Sequence, residues 1–507
     1  MEGVGEKWDM GERGPGEVTG RAEGDLYQMD FQAQTEGGRL RGTLQSATSG
    51  SRFSQMEGED FFENSALVAR MSTLRTVFSL AAKHDFEPEG MDVDAAYLNA
   101  PVEEELFVKI PPENSPFSRD IPFVRRLRKS LYGLKQSDRN WYNILDDLLV
   151  GIGLQRSTTD SCLYFSRNEA GETDILVAVH VDNLVIAGHR EKIDGFKHNI
   201  SRRFRMKDLG SLSRVLGIEV RRDRPNGTIS IPEGGYIREG LKRYGFDVCQ
   251  RVPSPAEEKV KIWALESADK SPEPKSLGAI LPDIGAGVQE SSSGRSGNST
   301  EYRDMVGSLV YASTGTRPEI AYAVHQAARP MEDPCWEDLG ICKRIFRYLS
   351  TVPDLGITFG CKSDGHGLEG FVDADWAEDV DDRKSTAGYV FKLNDGAISW
   401  GSRKQQLVTW SSTEAEYVAA EEAEKETVYL RDLLTTLFEN KSAINLSKRS
   451  GVHCRTKHIG VRWHRIRAWV REGILALKYV QIGDQPPEIL TNGLSRVKFQ
   501  RLMNLLM

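Results

Sequence analysis

The chain has 507 residues, enough for two or three cores, and its 39% hydrophobic and 28% charged content is that of a soluble globular protein. A net charge of −8 excludes a protein that coats nucleic acid over its whole surface but leaves room for local basic tracks. No apolar run approaches the ~20 residues of a membrane helix. The Glu- and Gly-rich N-terminus lacks the apolar segment of a signal peptide, and the six cysteines form no CxxC pair. These features read as a protein of the cytoplasm or nucleus, not a secreted one.

Residues 1–50 lack hydrophobic periodicity and read as disordered. Residues 65–84 have helical spacing, with Leu67, Val68, Leu74, Phe78, Leu80 and Ala81 on one side and Asn64 or Ser65 as cap. Gly90 to Leu98 is a short apolar strand carrying Asp92 and Asp94, and the helix should pack beneath it. Arg125, Arg126, Arg128, Lys129, Lys135 and Arg139 form a basic run before a helix from Asn140 to Val150. That run is either a solvated face or a phosphate track.

Ile175 to Gly188, ILVAVHVDNLVIAG, reads as a tight hairpin around Asp182 and Asn183. On composition alone those two residues are turn formers. The apolar runs on both sides imply a buried hairpin, in which a carboxylate needs a partner or a metal. Asp92 is its candidate partner, since two acids on neighbouring strands can hold Mg2+.

A strand from Val215 to Arg221, a return from Gly227 to Pro232 and a helix from Tyr236 to Tyr244 follow. Residues 253–300 are rich in Ser, Pro and Glu and read as a linker. Three helices follow at Tyr302–Ser313, Arg317–Ala328 and Trp336–Leu349. From 368 to 410 the period changes to short strands, three or four in a meander. Ser411 to Glu414 then makes a capping box for a helix running to about Leu437. Asp373 on the first of these strands and Glu416 in the first helical turn suit a second metal site; singly, they read as a strand end and a helix-dipole complement. Lys457, Arg462, Arg465, Arg467 and Arg471, interleaved with Trp463 and Trp469, form a second basic cluster. His453, Cys454, His458 and His464 fit no closed zinc spacing.

Five words in order, Asp92-Val93 through Tyr97, Ser130 to Ser137, His180 to Asn183, Met206 to Gly210 and Leu216 to Glu219, resemble the reverse transcriptase of copia-type LTR retrotransposons. The later words FVDADWAEDVDDRKSTAGYVF, ISWGSRKQQLVTWSSTEAEYVAA, KSAI and CRTKHIGVRWHRIRAWV resemble the ribonuclease H of the same Pol polyproteins. The resemblance runs from about Phe53 to the C-terminus. It implies an α/β (α+β) chain: a right-hand polymerase with an antiparallel palm sheet, a helical connection, then a mixed-sheet nuclease. The expected divisions are 1–50, a fingers and palm domain at 51–252, the linker 253–300, the connection 301–355 and the nuclease at 365–500.

The resemblance implies Asp92, Val93, Asp182 and Asn183 at a two-Mg2+ polymerase centre, Mn2+ being an alternative ion. It puts Tyr97 as a wall under the nucleotide sugar, with Gly133, Lys135, Gln136 and Ser137 near the template and nascent pair. It places the nuclease metals on Asp373 and Glu416, with Glu439 and Glu488 as the third and fourth acids. The implied partners are an RNA template, a DNA primer, the RNA–DNA hybrid and deoxynucleoside triphosphates, within a retrotransposon particle. Several departures mark a degenerate member. Asn183 and Glu488 stand where the family has Asp, His180 where it has Tyr, and Asp138 where it has Pro. Pro486-Pro487 replaces Leu-Ala, the segment before Glu439 is shortened, and Arg39 to Leu44 is a blurred form of the triphosphate-gripping fingers strand. Asn supplies a carbonyl ligand without charge, which should weaken metal binding.

Overall fold

A computed structural model describes residues 68–109, 124–258, 299–360, 367–379, 382–438 and 485–507, with strand pieces at 32–33 and 44–46 and single residues 471 and 480. The expectations for the N-terminal cap at Asn64 or Ser65, the fingers residues 39–43, most of the linker, Glu439 and the second basic cluster up to Arg467 fall outside these residues. Two compact units form: Met1–Val215 with Asp432–Lys441, and Leu216–Arg431 with Ser442–Met507. No described helix is long and apolar enough to cross a membrane.

The first unit carries a small sheet of β1 (Gln32–Ala33), β2 (Leu44–Ser46), β4 (Phe107–Lys109) and β5 (Val124–Arg126), ordered β1-β5-β4-β2. Its main sheet is built from β3 (Glu87–Val93), β6 (Gln155–Arg156), β7 (Leu163–Arg167), β8 (Thr173–His180), β9 (Asn183–Gly188) and β10 (Met206–Ser211), in the order β10-β3-β9-β8-β7-β6. All its pairings are antiparallel. Helices α1 (Met71–Lys83), α2 (Ser137–Gly151) and α3 (Arg190–Ser201) pack on it.

The centre of this sheet is apolar because β8 and β9 are almost wholly buried. Helix α1 is buried at every position from Ser72 to Ala82, as a helix enclosed on all sides must be. It starts later than the periodicity suggests. Val68 bridges to His180, and the Ala69 amide donates to the Val179 carbonyl at 3.0 Å, so this stretch pairs with the end of β8 instead. Helix α2 starts earlier, at Ser137: Asp138 in its first turn complements the dipole where the family's Pro would sit.

The short strand β11 (Arg214–Val215) ends the first unit, and the second contains β12 (Ile218–Glu219), β13 (Arg221–Asp223), β14 (Thr228–Pro232), α4 (Gly234–Arg243), α5 (Ser299–Gly315), α6 (Ala321–Ala328) and α7 (Trp336–Leu349). The expected strand 215–221 is broken: Leu216 and Gly217 turn with positive φ, and Val220 separates β12 from β13. A strand not anticipated from the pattern, β15 (Gly356–Phe359), pairs antiparallel with β14. Buried Arg317, held between α5 and α6, donates to Glu319 at 2.6 Å and to the Val352 carbonyl at 3.1 Å. An unpaired guanidinium at such a position would be costly.

Next come β16 (Glu369–Ala374), β17 (Thr386–Leu393) and β18 (Gly396–Lys404), an antiparallel meander. LVTW does not add a fourth strand; Leu407, Val408 and Trp410 are exposed. Helix α8 (Ser412–Phe438) follows, its residues from Asp432 grouping with the first unit. A single 3-10 turn at Pro486–Leu490 and α9 (Arg496–Leu506) close the chain. The Pro-Pro pair occupies the first two positions of that turn, where the missing N–H groups cost nothing and the helix cannot extend backwards.

His325 on α6 accepts the Lys404 backbone amide through Nε2 at 3.2 Å. Burial, then Arg329, Arg403 and Lys404, hold its pKa below 6.5. The unfolded chain therefore takes up a proton that the folded one refuses, and stability drops as pH falls below the unfolded value of about 6.5. Melting temperature should fall on acidification from neutral pH, and His325→Gln should flatten that slope; an unchanged slope would contradict this.

Candidate active site

Strand β3 lies between β10 and β9, so its end is flanked on both sides. Asp92 stands opposite Asn183 on β9 and opposite Lys207 on β10. The Val93 amide donates to the Asp182 carbonyl at 3.0 Å, fastening the β8–β9 turn to the tip of β3. The structure thus brings Asp92, Val93, Asp182 and Asn183 to one corner. The Asp92 carboxyl is raised above its ordinary value, first by burial and then by the charge of Asp182, with Lys207 opposing.

The turn itself is shifted by one residue from the sequence reading. His180 pairs with Asn183, so the two turn residues are Val181 and Asp182, and Asn183 begins β9. Val181 has φ 59°, a left-handed conformation that a β-branched side chain resists at a cost of about 1–3 kcal/mol. The indole of Trp141, 2% exposed on α2, donates to the Val181 carbonyl at 2.7 Å and holds the turn there. Asn183 donates its amide to the Asp182 carboxylate at 2.8 Å. It is a prop for that acid, and its nitrogen faces the group that an acid at 183 would repel.

Tyr97 and Tyr132 meet edge to face at 4.6 Å, and both hydroxyls are raised, first by burial, with the Asp182 charge contributing. Tyr97 also donates to Asp138, a partner with no local sequence signal. Gly133 has φ 92°, which requires glycine. Gln136 and Ser137 are each 1% exposed; Ser137 donates to the Leu131 carbonyl at 2.6 Å, and Gln136 reaches Glu104 at 3.4 Å. Both side chains are therefore used in shaping the loop, while Lys135 is half-buried beside them.

In the second unit Asp373 lies on β16 opposite Gly388 of β17. A Cβ at Gly388 would meet the Thr491 side chain at 2.8 Å and the Leu490 side chain at 2.9 Å, so glycine lets the 3-10 turn seat against the sheet. That seating brings Glu488 near Asp373. Asp373 is pushed up to about 6 by burial, with Glu488 and Glu416 adding charge and Thr491 and Lys498 opposing. Thr491 donates its hydroxyl to Asp373, and Lys498 forms an ion pair with Glu488. Neither Thr491 nor Lys498 carries a local sequence signal for these contacts. Among the described residues no three His, Cys, Asp or Glu side chains are grouped as a metal cage.

An antiparallel sheet that brings an acid on a central strand to an acid in the neighbouring hairpin turn is the arrangement that the sequence resemblance implies for a polymerase palm. A family model described as "Reverse transcriptase (RNA-dependent DNA polymerase)" matches residues 38–258. The Pol polyprotein of transposon TNT 1-94 from Nicotiana tabacum is 35% identical, covering 88% of this chain and 33% of that protein. That of transposon RE1 from Arabidopsis thaliana is 34% identical, over 88% and 29%. A putative transposon Ty5-1 protein of Saccharomyces cerevisiae is 29% identical, over 66% of this chain and 98% of its own length. The chain belongs to the copia-type retrotransposon Pol polyproteins, its residues 38–258 matching their reverse transcriptase region, and it spans about a third of the length of the plant relatives.

Replacing Trp141 by Phe leaves the Val181 carbonyl without its buried donor. Denaturant unfolding should show a loss of about 1–2 kcal/mol, against near-neutrality if the indole nitrogen is idle.

Proposed function

We propose that this chain is the reverse transcriptase and ribonuclease H portion of such a polyprotein. It would extend a DNA primer with deoxynucleotides on an RNA template and cut the RNA strand of the hybrid. The observation that carries the reading is the meeting of Asp92 with the Asp182 turn at the end of the palm sheet. The proposed divisions are fingers and palm at 51–252, linker at 253–300, connection at 301–355 and nuclease at 365–500, acting in the cytoplasm or nucleus within a particle.

The Asp92 and Asp182 carboxylates, with the Val93 carbonyl as the third ligand that the resemblance implies, would be a hard oxygen set suited to Mg2+ or Mn2+, which complete their shells with water and substrate phosphate. Burial raises the Asp92 carboxyl, and the charge of Asp182 adds to the rise. Asp92, Val93 and Asp182 would hold the ion, which when bound neutralises charge on the attacking oxygen and departing pyrophosphate. The family's second ion finds less here, because Asn183 is neutral and gives its amide to Asp182. The chain's own groups then set the geometry. Trp141 fixes the turn, the Tyr97 ring walls the sugar side, and the 133–137 loop supports the template side. In the nuclease, Asp373, Glu416 and Glu488 supply acids, with Glu439 as the further candidate.

The hydrogen bond from Asn183 favours a second reading, a decayed element that keeps the fold and binds nucleic acid without turnover. Primer extension on a poly-A template, in Mg2+ and in Mn2+, distinguishes the two. Asn183→Asp should extend at least about tenfold faster than the unaltered chain, the loss of one metal-facing charge being worth at least about 1.4 kcal/mol. Equal rates would contradict the role given to Asn183. Absence of extension by both would remove the polymerase reading.

A further inference from the structure

The acid group around Asp373 contains a cation of its own. Lys498 stands in the first turn of α9, and its ammonium pairs with Glu488. The position is fixed by packing. Next to it in sequence, Phe499 is 4% exposed and meets the Tyr348 ring edge-on at 5.4 Å, while Leu502 and Leu506 are fully buried. The C-terminal Met507 carbonyl accepts the Thr358 amide at 2.8 Å. Helix α9 therefore cannot swing away cheaply, and Lys498 is delivered to the 3-10 turn by the core beneath it.

On the acid side, one oxygen of Glu488 takes Lys498, while the other is buried and has no hydrogen-bond partner. Thr491 occupies an oxygen of Asp373. Glu488 is one methylene longer than the Asp of the family's word at this place, which extends its carboxylate toward α9. The three acids thus come with a hydroxyl donor and an ammonium already in place, and they do not form a metal cage.

We propose that Lys498 is the resident counter-ion of the Asp373–Glu416–Glu488 group, and that a divalent cation binds there only by displacing its ammonium from Glu488. The inference rests on the nuclease reading of these acids. An ammonium and a divalent ion within a few ångströms repel strongly in a site partly shielded from water, so the Lys498 ammonium opposes a divalent ion on the other Glu488 oxygen. The arrangement offsets one of the three acid charges without metal and weakens the group's affinity for metal. It is an autoinhibitory contact written into α9.

The test uses the full chain carrying Asp182→Asn, so that the palm contributes little, and follows Mn2+ binding by calorimetry. Lys498→Met should bind Mn2+ at least about tenfold more tightly, while Lys498→Arg, which keeps the charge, should stay near the parent. Adding Glu488→Gln to Lys498→Met should abolish the gain. On the chain with Lys498 intact, acylation of Lys498 read by peptide mass spectrometry should quicken when Mg2+ is added, a measurement that does not depend on a variant folding. Equal Mn2+ affinity in parent and Lys498→Met, or an acylation rate indifferent to Mg2+, overturns the proposal alone. Absence of Mn2+ binding at these acids in every chain overturns the nuclease reading with it.

Discussion

The register between β3 and the β8–β9 hairpin is the constraint from which the rest of the palm follows. Six successive residue pairs run from Glu87 opposite Gly188 to Asp92 opposite Asn183. Side chains alternate along a strand, so a slip by one residue would turn every buried residue of β9 to the other face and carry Asp92 away from Asp182. Burial of β8 and β9 makes that slip expensive. The hydrophobic core, far from the acids in chemical character, is what holds them together.

The turn shows where that rigidity is spent. Val181 is held in a left-handed conformation, and the strain is tolerated because the ladder on both sides and the Trp141 hydrogen bond leave the chain no relaxed alternative. Strain of this kind fixes the direction of the adjoining residue, here Asp182. The same corner also carries the chain's largest chemical departure. Asn183 keeps the shape of the acid that the resemblance implies at this place and reverses its hydrogen-bonding sense, so the backbone framework remains while the corner carries one carboxylate fewer.

Much of this was legible in the sequence because it depends on periodicity. The alternating and continuous apolar runs gave the buried hairpin, the long helix from the capping box and the three helices after the linker. The turn was placed one residue late because Asp182 and Asn183 have turn chemistry and Val181 does not; the ladder overrode local preference. The break at Val220 and the strand Gly356–Phe359 were missed because short strands carry little pattern and are made by their partners. Side-chain partners were the least legible. Tyr97 with Asp138, Thr491 with Asp373 and Trp141 with Val181 join residues 41, 118 and 40 positions apart. Only the packed fold decides such pairs. The acids could be named in advance, whereas the groups that orient or neutralise them could not.

The proposed chemistry requires that Asp92 and Asp182 share a divalent ion. Anomalous diffraction from crystals of the protein soaked in Mn2+ tests it most directly. A peak is expected between the two carboxylates, within coordination distance of both and lost in Asp92→Asn. Manganese found only elsewhere, with the Asp92 and Asp182 side chains turned apart, would contradict it.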